Sequence, residues 1–196
     1  MISFEQLRDL LMANRSYRRF DHSRPISPDI LSALVELTRY CPSGRNLQPL
    51  RYRIVWKDEV CDAIFPALKW AGYYTDWDGP SPEERPVAYL VQCLDADLAA
   101  DCLCDDGLQL EAITLGAATR DIHGVIIKAF NPDMIAKALN LPPRYKPRYV
   151  LALGYPAETV IIEDTDGSTS ADIRYHHDDL GRHVVPKRPL SELIIS

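Results

Sequence analysis

The chain lacks any apolar run approaching the roughly 18–20 residues that a membrane-spanning helix needs, so nothing in it is expected to cross a bilayer. Its start interleaves Glu5, Arg8 and Asp9 with Phe4, Leu7, Leu10 and Leu11. That is helical periodicity, not the apolar heart of a secretory signal. Cysteine is present but unarranged. Five is an odd number, and Cys102-x-Cys104 has neither the gap of a redox pair nor the spacing of zinc ligands. Reduced thiols in a cytoplasmic protein are the expectation. There are no repeats and no low-complexity tracts. No Ser-His-Asp or Cys-His set stands in a motif context, so nucleophilic catalysis has no obvious carrier.

Broad basicity is missing too. The chain holds 22 Lys and Arg against 28 Asp and Glu, a formal charge of −6. Nucleic acid is therefore a poor candidate partner, because its affinity needs many phosphate contacts over a wide basic surface. Length and composition fit one soluble globular domain spanning 1–196, with 46% hydrophobic residues to build a core.

Against this acidic background, Asn14 to Arg24 carries Arg15, Arg18, Arg19, Arg24 and a histidine. Such a cluster makes a local positive field. A single small phosphate fits it well, since arginine offers a planar fork of donors and a serine hydroxyl or backbone N–H can complete the shell. In an extended stretch, Ser16 and Arg18 would lie on one side and Arg15 on the other. The competing reading of these residues alone is a solvated polar loop.

In chain order, the Phe4–Leu11 helix ends as the arginine stretch begins. Ser27 before Pro28 caps a second helix, with Ile30, Leu31, Leu34 and Leu37 on one stripe. Cys41-Pro-Ser-Gly-Arg-Asn-Leu-Gln-Pro is a turn dense in side-chain donors. Strands are expected at Arg51–Trp56, Val87–Leu94 and Arg148–Leu153, with an apolar strand or turn at Gly124–Ala129. Helices are expected at Asp62–Ala71, at Pro132–Leu139 and, the longest, from about Asp97 to Thr119. The second half of that longest helix is apolar nearly all round, which calls for burial at the centre of the fold or under a second subunit. Gly116, Ala117 and Ala118 would permit close backbone contact there. The stretch Tyr73–Pro86 has no period, and loops of that length are usually functional or mobile; it is a substrate-facing lid candidate. Near the end, Asp164–Ser170 is polar and Ile173–Tyr175 could pair briefly.

Four segments together carry a resemblance: Arg15-Ser16-x-Arg18-x-Phe20; Pro42-Ser43 with Asn46, Gln48 and Pro49; a Gly-x-x-Ile-like turn after the long helix; and Pro186-Lys-Arg-Pro-Leu190. Their order and spacing resemble the FMN-dependent nitroreductase family from about residue 4 to 195. The resemblance implies an α+β fold, with a central, mostly antiparallel sheet flanked by helices. It also implies an intertwined homodimer with FMN at the interface. Arg15, Ser16 and Arg18 would then hold the FMN phosphate, ribityl chain and pyrimidine edge. Pro42, Ser43, Asn46 and Gln48 would reach the flavin from the partner chain, and Lys187 and Arg188 would lie at the phosphate. Ile126, Ile127 and Lys128 would offer backbone N–H groups near flavin N5.

This sequence departs from the family pattern in three places. Lys187 stands where arginine is common, replacing a fork by a point charge, and Asn14 stands where a second arginine is common. The turn reads Ile122-His-Gly-Val-Ile-Ile-Lys-Ala, so Lys128 replaces a glycine beside the flavin and His123 is a further replacement. If Lys128 keeps the backbone path, its side chain points away. If it turns inward, its charge would stabilise reduced flavin.

The implied activity is hydride transfer from NAD(P)H to flavin N5 and on to a nitroaromatic, quinone or similar acceptor. The cofactor carries the chemistry and no side chain need act as catalyst. Tyr73, Tyr74 and Trp77, with Phe65 and Trp70, are candidates to wall the acceptor site; core packing is their alternative. Two other readings stand beside the enzyme: a flavin-binding protein with little or no turnover, and an anion-binding regulatory module without flavin.

Overall fold

The computed structural model describes residues 1–166 and 173–195. Its centre is a four-stranded antiparallel sheet, formed by β1 (Leu50–Val55), β2 (Ala88–Asp95), β3 (His123–Ile127) and β4 (Tyr145–Gly154) in the order β1-β2-β4-β3. Sequence sets the order of burial. β2 is apolar almost throughout and buried at every position, so it sits inside the sheet beside β4. The polar ladder residues Arg51 and Arg53 fall to the edge strand β1.

Strand alternation splits the core in two. On one face, Leu90, Leu151 and Leu153 meet α2 (Pro28–Glu36) and α4 (Asp105–Ala118) through Leu31, Leu34, Leu110, Ile113 and Ala117. On the other, Tyr89, Val91, Val150 and Ala152 meet α3 (Asp58–Ile64) and α5 (Pro132–Ala138) through Cys61, Ile64 and Ile135. Each such side chain contributes about 1.5–3 kcal/mol by leaving water. Local chemistry starts the helices. Ser3 and Gln6 form a reciprocal capping box on α1 (Phe4–Ala13). Ser27 and Asn131 cap α2 and α5, each followed by proline.

Several elements differ from the periodicity. The longest helix begins at Asp105, not near Asp97. The Asp95 and Asp101 carboxylates accept from the backbone N–H groups of Asp97 and Cys102, and Leu103 takes φ 53°. These local bonds hold 97–104 in turns that compete with helix. α4 also buries one side only: Leu108 stays 43% exposed. Gly116 does allow close packing, since a Cβ there would lie 2.2 Å from Leu37 Cδ1. The helix expected at Asp62–Ala71 lies earlier, at Asp58–Ile64, and tightens into a 3₁₀ turn at Phe65–Ala67 where Pro66 interrupts the helical bonding. The 73–86 stretch holds no regular element beyond one 3₁₀ turn, Pro82–Glu84.

A second, small sheet was not anticipated. It joins β5 (Val160–Asp164), β6 (His176–His177) and β7 (His183–Lys187) in the order β5-β7-β6, with β5 and β7 parallel. The brief pairing expected at Ile173–Tyr175 falls instead on His176–His177. Of the polar stretch Asp164–Ser170, positions 167–170 lie outside the described residues. The chain ends in a short helix, α6 (Leu190–Leu193).

Candidate functional site

The arginine stretch is stitched to the free edge of the main sheet. Ser16 bridges Gly124 in parallel, and Tyr17 N–H donates to the Gly124 carbonyl at 3.1 Å. Gly124 is required by crowding on the other side, where a Cβ would stand 2.2 Å from the Ala152 carbonyl oxygen. Because the Gly124 carbonyl faces the arginine stretch, strand alternation turns the Ile126 N–H to that same edge and the Ile127 N–H towards β4. From the other end of the chain, β7 brings His183, Val185 and Lys187, alternate residues on one face.

Together these elements line a cleft of about 400 Å³ formed by Asn14, Arg15, Ser16, Arg18, Glu111, Thr114, Gly124, Ile126, Tyr175, His183, Val185 and Lys187. Arg15 donates from Nε to the Asn14 carbonyl and from Nη2 to the Leu11 carbonyl, closing the end of α1. Arg18 donates from Nη1 to the Ser16 carbonyl and to His183 Nε2. Among the described residues, Arg15, Arg18 and Lys187 have no carboxylate within ion-pair distance, whereas Arg19, Arg85 and Arg148 pair with Glu84, Asp62 and Asp106. Glu111 alone offsets the three cations lining the cleft, and Asn14 Nδ2 bonds Thr114 Oγ1 at 2.9 Å. The arginine backbone is anchored separately, with the Arg18 and Arg19 N–H groups both donating to Glu158 Oε1.

The other sequence-derived residues are placed as follows. Ile126 lines the cleft and is half-exposed, while Ile127 is buried in the core. Lys128 turns away from the cleft: its Nζ donates to the Arg148 carbonyl at 3.2 Å and lies 4.4 Å from the Tyr149 ring centroid. Arg188 pairs with Glu192 at 2.8 Å and does not line the cleft. His123 is half-buried against Tyr17, with ring centroids 4.7 Å apart, and burial lowers its pKa.

Pro42, Ser43, Asn46 and Gln48 lie in a separate turn. There Ser43 Oγ–H donates to Asp105 Oδ2 at 2.6 Å, Gly44 N–H donates to Asp105 Oδ1, and Gln48 N–H donates to Ser43 Oγ. Phe65 and Trp70 pack together in the core, as core packing would have it. Trp77 abuts Trp70 and Tyr74, with Arg19 over its ring. Tyr73 and Tyr74 contact Tyr175, and Tyr74 Oη lies 2.7 Å from His183 Nδ1. Among the described residues, no group of three His, Cys, Asp or Glu could hold a metal ion, and no helix is long and apolar enough to cross a membrane.

A model of the Nitroreductase family matches residues 11–86, which include both the arginine stretch and the Pro42–Pro49 turn. No curated protein matches the chain in sequence. Among solved structures, a nitroreductase family protein of Clostridium difficile 630 superposes with a TM-score of 0.65 at 21% identity, covering 95% of each chain. A nitroreductase family protein of Streptococcus pneumoniae TIGR4 gives 0.67 at 13%, covering 97% of this chain and 99% of its own. The fold is that of the nitroreductase family. Within that fold, a protein of Exiguobacterium sibiricum 255-15, provisionally assigned as a nitroreductase and solved in complex with FMN, gives 0.64 at 18% over 81% of this chain and 90% of its own.

Residue-type reasoning missed half of this nitroreductase-fold cleft. Counting back from Lys187 by twos gives Val185 and His183, so the period of β7 was the available signal. Glu111 and Thr114, three apart in the mostly apolar second half of α4, were another. Tyr175 gave none, because a loop aromatic has no period.

Proposed function

We propose that this chain is an FMN-dependent oxidoreductase that passes a hydride from NAD(P)H, through flavin N5, to a nitroaromatic, quinone or similar electron-poor acceptor. The observation that carries the reading is the convergence of unpaired cations from both ends of the chain on one cleft. Unpaired guanidinium and ammonium groups facing a cavity suit a phosphate dianion. The residues fit FMN in its other parts too. Ser16 and Thr114 supply hydroxyls, the Ile126 N–H lies on the free sheet edge, and Ile126 and Val185 give apolar surface for a ring.

In this reading Arg15 and Lys187 hold the phosphate, while Arg18 and Ser16 orient the polar edge of the ring system. Ile126 keeps water from one side of the ring, and its N–H orients the polar face near N5. Lys128 contributes its backbone only, its ammonium being committed to the Arg148 carbonyl. FMN, when bound, supplies the hydride chemistry. Tyr73 and Tyr74 border the acceptor side through Tyr175, with Trp77 behind Tyr74.

A second copy of the chain completes the proposal. α1 leaves Phe4, Leu7, Leu11 and Met12 exposed, α4 leaves Leu108, and the end of the chain leaves Leu190, Leu193, Ile194 and Ile195. So much uncovered apolar surface suits a homodimer. The partner's Pro42–Gln48 turn would then close the flavin site, in a cytoplasmic single-domain enzyme.

The test is an absorbance spectrum of protein incubated with FMN and gel-filtered, followed by anaerobic NAD(P)H titration and steady-state oxidation with a quinone. Retained yellow colour, bleaching by NAD(P)H and turnover are expected. A colourless eluate would sink the flavin reading, and colour without NAD(P)H oxidation would sink the enzyme.

A further inference from the structure

His183 is 1% exposed, and its ring is enclosed by Tyr74, Tyr175 and His177 at centroid distances of 5.8, 5.2 and 5.8 Å. Its two nitrogens have different partners. Arg18 Nη1 approaches Nε2 at 3.0 Å, and Tyr74 Oη approaches Nδ1 at 2.7 Å. A guanidinium can only donate, so Nε2 must present its lone pair. The neutral ring then carries its proton on Nδ1 and donates it to Tyr74 Oη. One tautomer satisfies all three groups.

Among the described residues, the Arg18 side chain is otherwise held only by the Ser16 carbonyl, through the same Nη1, and by the Tyr175 ring 4.8 Å beneath its guanidinium carbon. Its Nε and Nη2 donors are uncommitted among the described residues. A long arginine side chain loses rotamer freedom when a ligand fixes it. A buried acceptor that fixes it beforehand removes part of that cost from binding.

We infer that His183 is a positioning residue for the cleft: with its Nδ1–H given to Tyr74, its Nε2 lone pair accepts from Arg18 and pre-aims the remaining guanidinium donors at the anionic cofactor. The Tyr74 bond ties the loop carrying Tyr73, Tyr74 and Trp77 to the strand carrying Lys187, so the acceptor side and the cation side are braced by one imidazole. This inference rests on the flavin reading of the cleft.

The experiment is a double-mutant cycle on FMN affinity, read by quenching of flavin fluorescence, in wild type, Arg18→Ala, His183→Phe and the double variant. His183→Phe keeps a ring but removes the lone pair, and about a tenfold weakening is expected. In the Arg18→Ala background the same change should weaken binding less than about twofold, because the group it positions is gone. His183→Gln, which still offers an acceptor, should recover to within about threefold of wild type. Equal losses in both backgrounds, or no loss with wild-type FMN binding intact, overturn the inference while leaving the flavin reading standing. Wild type that fails to bind FMN overturns the flavin reading instead. A second measurement needs neither flavin nor a folded variant: nitrogen-15 NMR of His183 in wild type at neutral pH should show Nδ1 protonated and Nε2 bare. A protonated Nε2 would overturn the inference.

Discussion

Two polar regions of this molecule are rich in donors, and they spend them differently. In the turn at residues 42–48 the donors of Ser43, Gly44 and Gln48 are consumed locally. Ser43 and Gly44 both bond the Asp105 carboxylate, Gln48 N–H bonds Ser43 Oγ, and Gln48 Nε2 bonds the Asn46 carbonyl. Arg45, Asn46 and Gln48 all adopt positive φ, at 51°, 54° and 48°. For residues with side chains that conformation costs free energy and persists only where surrounding bonds over-determine it. In the cleft the donors of Arg15, Arg18 and Lys187 reach no carboxylate among the described residues. The turn is a shape held rigid by its own polar groups, whereas the cleft keeps its charge in reserve. Hydrogen-bonding capacity alone does not mark a binding site; what distinguishes one is capacity left over.

Acid should separate the two regions most sharply. Burial, helped by the positive charges of Arg18, His177 and His176, holds His183 down to about 4 against an ordinary 6.5. Between those values the unfolded chain carries a proton that the folded chain does not, so stability is intact above about pH 6.5 and is lost as pH falls towards 4. The full difference is ~3 kcal/mol. Urea denaturation of wild type against His183→Gln from pH 7 to 4 should show the wild type losing stability more steeply. Parallel curves would assign the acid sensitivity elsewhere.

Next in size is Arg18→Ala. It removes a cation that reaches no carboxylate among the described residues but leaves one buried acceptor, His183 Nε2, without its donor, so stability should fall by only about 1 kcal/mol. FMN affinity should fall about 100-fold, equivalent to ~2.7 kcal/mol. Asp105→Ala should do the reverse. The Asp105 carboxylate is 2% exposed and accepts two bonds from the turn. Its loss takes from the part-buried Ser43 hydroxyl and Gly44 N–H their two bonds to a buried carboxylate, at ~2 kcal/mol of folding stability. Calorimetry and flavin titration on both variants check the crossing. An Arg18→Ala protein that melts early would mean the cleft cations are structural after all.

The contrast also shows what could be read in advance. Period located the main strands and α5, and the Ser27-Pro28 cap located α2, because these signals act within a few residues. Charge standing out against an acidic chain singled out the stretch holding Arg15 and Arg18, whereas Lys187 was reached only through the family resemblance. The start of α4 was misjudged because apolar spacing at Leu98 and Cys102 mimics a helix, while the Asp95 and Asp101 side chains capture the backbone first. The sheet of β5, β6 and β7 was invisible because β5 has only five residues with a charged end, Glu163-Asp164, and β6 has two, too short to show a period. His183 was hidden for another reason: its role depends on Tyr74 and Arg18, 109 and 165 positions away, and no local pattern encodes such a meeting.

The smallest expected effect tests how rigid the turn is. Ser43 Oγ both donates to Asp105 Oδ2 and accepts from Gln48 N–H, so it links the carboxylate to one of the positive-φ residues. Ser43→Ala removes both bonds but leaves Gly44 N–H on Asp105, and a partly exposed site lets water replace what is lost. The cost should be ~1 kcal/mol. Its more informative consequence is conformational, because Gln48 is freed to leave φ 48°. Hydrogen exchange at the Gln48 amide should quicken in Ser43→Ala, while exchange at the Ile126 amide in the cleft stays unchanged. Equal acceleration at both would mean that turn and cleft are one cooperative unit, and the distinction between spent and reserved donors would then describe a single site seen from two sides.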